Sequence, residues 1–390
     1  MPRPYQCYLT IFLLGACALV CLYSTQPILL QIAAWGGVEV ESAALTISAT
    51  TLGVALFAPF SGSMAVRLGR RKTIFIAVGA LCLTTLLAVS AWNFPSLIFF
   101  RFIQGICIPF IFSNTVSYIA EQWDKREAVK FNSLYIAGTA FGGFSGRLLS
   151  GITVELFPQW KLTFVTLALF LFFTFLLTIN YLPPEKRAAQ APTRSVFADL
   201  GGMMTDKKML ISCFIAFSLL FQQVGSFTFG SLYLAGAPFY LNSIQVGLIF
   251  VVFLIPSLLT PLTAVAINRF GYVYAFSLSC LLGIGGLYLT LSDQLYQVIT
   301  GLTLSCVSVF FGQACGTSFI AKNSPYARAT SVGLYLFSYY LGGCLGGIMP
   351  GKVYYLFGWA ECVYLLMIMI LLSCGLAFIG WRKQKEKSYV

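Results

Sequence analysis

Apolar residues in this chain come in unbroken runs of about 20, separated by short polar breaks, rather than in alternation or along a single helical stripe. A helix needs roughly 20 such residues to cross a hydrocarbon core of ~30 Å. The pattern therefore predicts twelve membrane-crossing helices, near residues 7–33, 43–65, 73–92, 96–119, 133–156, 162–182, 210–234, 244–267, 274–292, 295–320, 331–356 and 361–381. Strands are excluded by the same runs, because a lipid-facing barrel alternates apolar and polar positions.

Residues 134–160 and 334–359 repeat each other without a gap. Leu134, Tyr135, Gly142, Gly143, Gly146, Gly151, Leu156 and Phe157 align with Leu334, Tyr335, Gly342, Gly343, Gly346, Gly351, Leu356 and Phe357. A half-chain period signals a duplicated unit. The expected fold is an all-α membrane protein with twelve transmembrane helices in two pseudosymmetric six-helix bundles. The expected halves are 1–183 and 209–390, joined by a polar cytoplasmic linker over 184–208. One position breaks the echo, since Arg147 stands where the second copy has Gly347.

The net charge of +12 on 390 residues suggests a polyanion partner until the charges are placed. Most Lys and Arg fall in loops on the side of the N-terminus, among them Arg70, Arg71, Lys125, Arg126, Lys207 and Lys208, whereas Lys161 and Lys352 lie on the other. That asymmetry is the positive-inside rule. It predicts a bacterial inner membrane protein with both termini cytoplasmic, partnered by the bilayer and a small-molecule substrate rather than nucleic acid. A monomer is expected. The segment Leu14-Gly15-Ala16-Cys17 looks like a lipoprotein cleavage site, but the apolar run around it far exceeds a signal core of 7–15 residues, so no cleavage is expected. With no His and no Cys-x-x-Cys pair, neither a metal site nor a cofactor is expected. An enzyme would also lack obvious catalytic groups.

Polar residues within the spans are the candidate site. Span five carries Gly138, Gly142 and Gly146 four residues apart, a spacing that lets another helix approach closely and was expected to join the two halves. Arg101 and Gln104 share a face of span four. An arginine near the bilayer centre costs about 2.5–3.5 kcal/mol, so it faces the bundle interior or a wet cavity. Arg101 is either satisfied by backbone carbonyls or engaged with substrate. The twelve Asp and Glu all lie in loops or at span ends, which leaves Arg101 and Arg147 without an intramembrane counter-charge. This favours an anionic, carboxylate- or phosphate-bearing substrate, which an Arg fork matches. Export of one negative charge gains about 2.3 kcal/mol per 100 mV. If protons drive transport instead, Glu155 near the outer end of span five is the first candidate.

The loop Gly62-Ser-Met-Ala-Val66-Arg67-Leu-Gly69-Arg70-Arg71-Lys72 resembles the loop signature of the major facilitator superfamily, with Val66 at its acidic position. A weaker copy at 264–271 has Asn268 there. The span containing Arg101, Gln104 and Gly105 resembles the superfamily's second motif. Span five resembles its antiporter motif, with Gly143 in place of Pro and Arg147 in place of the final Gly. GGFSGRLLSG at 142–151 and YLFSYYLGG at 335–343 are similar to the YnfM-like efflux branch. The resemblance implies alternating access. It implies a gating loop at Gly62, Arg67, Gly69, Arg70 and Arg71 that latches the halves. It also implies cavity-lining or interface positions for Tyr23, Gln26, Gln222, Gln223, Gln313, Tyr335 and Tyr339. A proton-coupled multidrug or sugar efflux antiporter is the alternative, and a solute channel or transporter-like sensor is the rival of another class.

Overall fold

The computed structural model describes residues 4–61, 65, 68–157, 159–185, 201–259, 261–324 and 328–381. Gly62 and Arg67 of the loop signature lie outside them, as does most of the linker. Among the described residues, ten helices are long and apolar enough to cross a membrane: α1 (Tyr5–Gly36), α2 (Val40–Phe60), α3 (Arg70–Val89), α4 (Phe94–Gln122), α6 (Leu162–Tyr181), α7 (Lys207–Ala235), the helix that includes α9, α10 (Leu295–Asn323), α11 (Thr330–Phe357) and α12 (Trp359–Gly380). Two more complete the set of twelve. α5 (Lys125–Leu156) has its apolar run interrupted by Arg147, and α8 (described over 243–259 and 261–270) starts as the shorter apolar helix Ser243–Pro256. Gly271, at φ 82°, separates α8 from α9 (272–289). No strand occurs among the described residues.

The segment 121–132 reads as a loop in sequence but is almost entirely helical. Only Trp123 and Asp124 are extended, and the Asp124 side chain accepts from the Glu127 backbone N–H at 2.8 Å, starting α5 two turns before its apolar run.

The duplication is visible in the backbone. Gly69 (φ 86°) ends the α2–α3 turn as Gly271 (φ 82°) ends the α8–α9 turn, 202 positions on (69 + 202 = 271). A left-handed residue here is what glycine permits without a Cβ clash. In α5, a Cβ on Gly138, Gly142 or Gly146 would strike the carbonyls of Phe12, Ala16 and Val20 in α1. In α11, Gly342 and Gly346 sit equally tight on the carbonyls of Phe217 and Phe221 in α7. These stripes therefore fasten α5 to α1 and α11 to α7 within each half, rather than joining the halves as the spacing suggested. Gly151 does reach across, lying against the Ser243 carbonyl of α8. Gly143 makes no close helix contact and faces the Arg147 side chain instead. The halves meet along α2–α11 and α5–α8.

Several of the described spans are not continuous helices, and three of them break where the site lies or beside it. α1 stops at Leu22, turns through 23–25 and resumes as a 3-10 turn, Gln26–Ile28. α8 contains a 3-10 stretch, Phe250–Phe253, and α11 breaks after Gly346. Mid-helix 3-10 segments often mark hinges or functional sites.

Candidate functional site

The break in α1 frees the last carbonyls of its first helical segment inside the bundle, where an unpaired backbone group is costly. Arg101 of α4 fills that need. It is fully buried and donates through Nη1 to Cys21 O at 3.0 Å, through Nη2 to Leu22 O at 2.8 Å and through Nε to Thr46 O at 3.0 Å. Nη1 also donates to Gln104 Oε1 at 2.7 Å, and Gln104 Nε2 donates to Thr85 Oγ1 at 3.0 Å. Of the two alternatives left open by the sequence, the bonds that Arg101 makes here match the backbone-satisfied one. They form a structural clamp on α1 and α2.

Arg147 grips the same break from its other side. It is 2% exposed, so it does not reach the headgroups. Its Nε donates to Gln26 Oε1 at 2.6 Å and its Nη1 to the Gly143 carbonyl one turn back. The guanidinium carbon lies 4.7 Å from the ring centroid of Tyr23, 4.4 Å from that of Phe250 and 4.6 Å from that of Phe253. Desolvated cation–π contacts are worth about 2 kcal/mol each. Three are together of the size needed to offset the ~2.5–3.5 kcal/mol cost of an intramembrane arginine. All its protein partners are neutral. The salt bridge found among the described residues is elsewhere, between Arg70 and Glu121.

This cage spans the two halves. Gln26 Nε2 donates to Thr228 Oγ1 of α7 at 2.9 Å, while Phe250 and Phe253 belong to the 3-10 stretch of α8. About two turns away, at the start of α8, Glu155 Oε1 accepts from the Ser243 N–H at 2.9 Å and Gln31 Nε2 donates to Ser243 Oγ at 3.2 Å. Glu155 is exposed, and a cavity of about 150 Å³ lies between it and Gln26.

The remaining candidates are dispersed. Gln222 Nε2 donates to Ser305 Oγ at 3.0 Å, bonding α7 to α10. Gln223 is buried on α7, and Gln313 is half-buried on α10. Tyr335 is fully buried with its hydroxyl pressed on Gly316 and unbonded, and Tyr339 packs edge-on to Tyr340. Of the residues singled out in the sequence, the structure brings Tyr23, Gln26 and Arg147 together, whereas Thr228, Phe250 and Phe253 were not among them. A Thr and two Phe in an apolar run look like ordinary core.

The described part of the loop signature works within one half. Arg70 holds Glu121 of α4 bidentately at 2.6 and 2.7 Å and also donates to Asn114 Oδ1 at 3.3 Å. Arg71 donates through Nε and Nη2 to the last carbonyls of α6, Leu182 O and Ile179 O, both at 2.8 Å. The Arg71 N–H donates to Glu185. The cross-half latch implied by the resemblance is not what Arg70 and Arg71 form here; they bind α3 to α4 and α6.

Twelve helices in two pseudosymmetric bundles, with a polar site at their junction, define a membrane transporter. The family model of the Major Facilitator Superfamily matches residues 11–347, and the chain belongs to that family. It is similar to the inner membrane transport protein YnfM of Escherichia coli, 23% identical over 96% of this chain and 90% of that one. It is also similar to the multi-drug resistance efflux pump PmrA of Streptococcus pneumoniae, 25% identical over 87% and 86%. The crystal structure of the human organic anion transporter MFSD10 superposes with a TM-score of 0.71 at 20% identity, covering 96% of this chain and all of that one, which shows the shared fold. These relatives are transporters, not enzymes.

Proposed function

We propose that the protein is an alternating-access exporter of a small organic anion, and that Arg147 is the charge that recognises it. The observation that carries this is the state of Arg147: buried at the junction of the halves, with neutral partners only. A carboxylate or phosphate group would replace the Gln26 amide with a charge-assisted, bidentate contact, roughly twice as strong as the neutral bond it displaces. Arg101, with its donors already engaged, has no part in this reading. The 184–208 segment joins the two halves on the cytoplasmic side, where the positive-inside asymmetry also puts both termini. Glu155 and the cavity then open outward. Export of the anion is favoured by a negative interior, so neither a proton nor a buried carboxylate is required.

The test is flux by the full-length protein in proteoliposomes under a potassium–valinomycin clamp, using labelled organic anions chosen from metabolites that accumulate in cells lacking the gene. Expected is saturable counterflow that follows the imposed potential and is lost in Arg147→Ala. Full activity of Arg147→Ala would overturn the assignment. Similarity to PmrA supports a second reading, efflux of drugs in exchange for protons. Transport of cationic dyes that tracks the pH gradient and ignores the potential would favour it.

A further inference from the structure

Gln26 belongs to two places at once. Its Oε1 holds Arg147 Nε at 2.6 Å, and the same side chain forms part of the wall of the cavity of about 150 Å³ that continues along Leu30, Ser231, Asn242 and Ser243 to Glu155. Resting on the reading of the substrate as an organic anion, we propose that this cavity is the exit subsite for its anionic group, and that Gln26 is the switch that hands the anion from Arg147 into it.

The size fits a head group and little more. A water occupies about 30 Å³ of liquid, so the space holds the equivalent of about five waters, well below the ~300 Å³ at which drug-sized pockets begin. The donors suit an anion. The Gln26 and Asn242 amides offer N–H groups to a carboxylate. Gln26 can turn because it is itself neutral and forms no ion pair with Arg147. When its Oε1 leaves Arg147 the guanidinium gains a free N–H, and when its Nε2 leaves Thr228 a donor becomes available to the arriving anion. Occupation of the subsite therefore weakens the α1–α7 and α1–α5 bonds that Gln26 makes.

Glu155 gives the subsite its low affinity. Its carboxylate is held at the cavity wall by the Ser243 N–H and faces the same space. Like charges at such range repel, so an anion released from Arg147 is not retained beside Glu155 and departs outward. The carboxylate therefore acts as a positioning group for release.

Leu30, one turn from Gln26, is 47% exposed and lines the cavity, which makes Leu30→Cys a reporter. In the full-length protein in proteoliposomes, the labelling rates of this cysteine by a sulfonate-bearing and a trimethylammonium-bearing methanethiosulfonate are compared by mass spectrometry. Glu155→Gln is expected to raise the anionic-to-cationic ratio about five-fold, the factor corresponding to removal of one nearby charge at intermediate dielectric. Gln26→Ala should raise it similarly by opening Arg147 to the cavity. Gln26→Glu, which pairs with Arg147, should lower it, and it keeps the side-chain volume should the Ala variant fold poorly. A ratio indifferent to both Gln26 variants overturns the switch. If organic-anion flux persists alongside such indifference, the functional reading stands and only the subsite falls. If the ratio shifts as expected and no organic anion is carried, the subsite stands and the functional reading falls.

Discussion

The Arg147 guanidinium lies over the Phe250 ring at 4.4 Å, and the pseudosymmetric contact in the other half-interface is Gly347 against Ser48. The correspondence follows from the repeat, as 147 + 200 = 347 and 48 + 202 = 250, the second offset being the one that relates Gly69 to Gly271. One interface is thus filled by small residues at close backbone approach, and its twin by a cation among rings. A duplicated scaffold has kept the packing logic while exchanging inert volume for charge at a single place.

Replacing Arg147 should separate recognition from folding. Arg147→Met keeps apolar volume between Tyr23, Phe250 and Phe253, so the thermal unfolding midpoint in detergent should hold or rise. Transport of the anion should fall by about 100-fold or more, in keeping with the loss of a charged partner. Arg147→Lys should recover only part, because a point charge lacks the planar fork. Equal flux in wild type and Arg147→Met would remove Arg147 from the site.

Arg101 should behave in the opposite way. Arg101→Ala removes the donor that meets the Leu22 carbonyl and Gln104 Oε1, and takes one of the bonds from the Cys21 and Thr46 carbonyls, which also accept from Ser24 Oγ and Thr50 Oγ1. Each buried unsatisfied group costs roughly 1–3 kcal/mol. The expected result is a lower yield of folded protein and a lower melting temperature. Whatever protein does fold should retain its apparent affinity for substrate. A changed half-saturation constant at unchanged stability would contradict the clamp.

Neighbouring glycines should differ sharply. A Cβ on Gly142 would lie well inside contact distance of Ala16 O, whereas on Gly143 it would meet nothing closer than Arg147 Nη1 at 3.6 Å. Gly142→Ala should therefore force α1 and α5 apart at a cost of about 1–3 kcal/mol. Gly143→Ala should be neutral or stabilising by up to ~1 kcal/mol through helix propensity. Differential scanning fluorimetry of the two variants settles the contrast, and equal effects would mean that the α1–α5 contact is not close.

The Arg70–Glu121 pair should matter little for the balance between inward- and outward-open states. It sits within one half and is partly exposed, so Glu121→Gln should cost no more than about 1 kcal/mol. Spin-label distances across the halves should be unaltered by this change. A shift toward either open state would show that Arg70 acts between the halves after all.

Sequence alone determined the span count, the duplication, the family and the asymmetric position 147. Each of these is written in local composition or in a fixed offset, and a bilayer core converts apolar run length directly into helices. It could not separate the two arginines, because what satisfies a buried cation is set by groups distant along the chain. Arg101 became structural only because α1 breaks at Leu22 and frees two carbonyls 79 and 80 positions away. Arg147 stayed without a charged partner because packing of α5 against α8 surrounded it with rings rather than acceptors. The direction of the glycine stripes was likewise a tertiary matter, since four-residue spacing permits a close neighbour without naming it. The repeat thus marked position 147 as exceptional, and only packing between the halves surrounded it with the rings of Tyr23, Phe250 and Phe253.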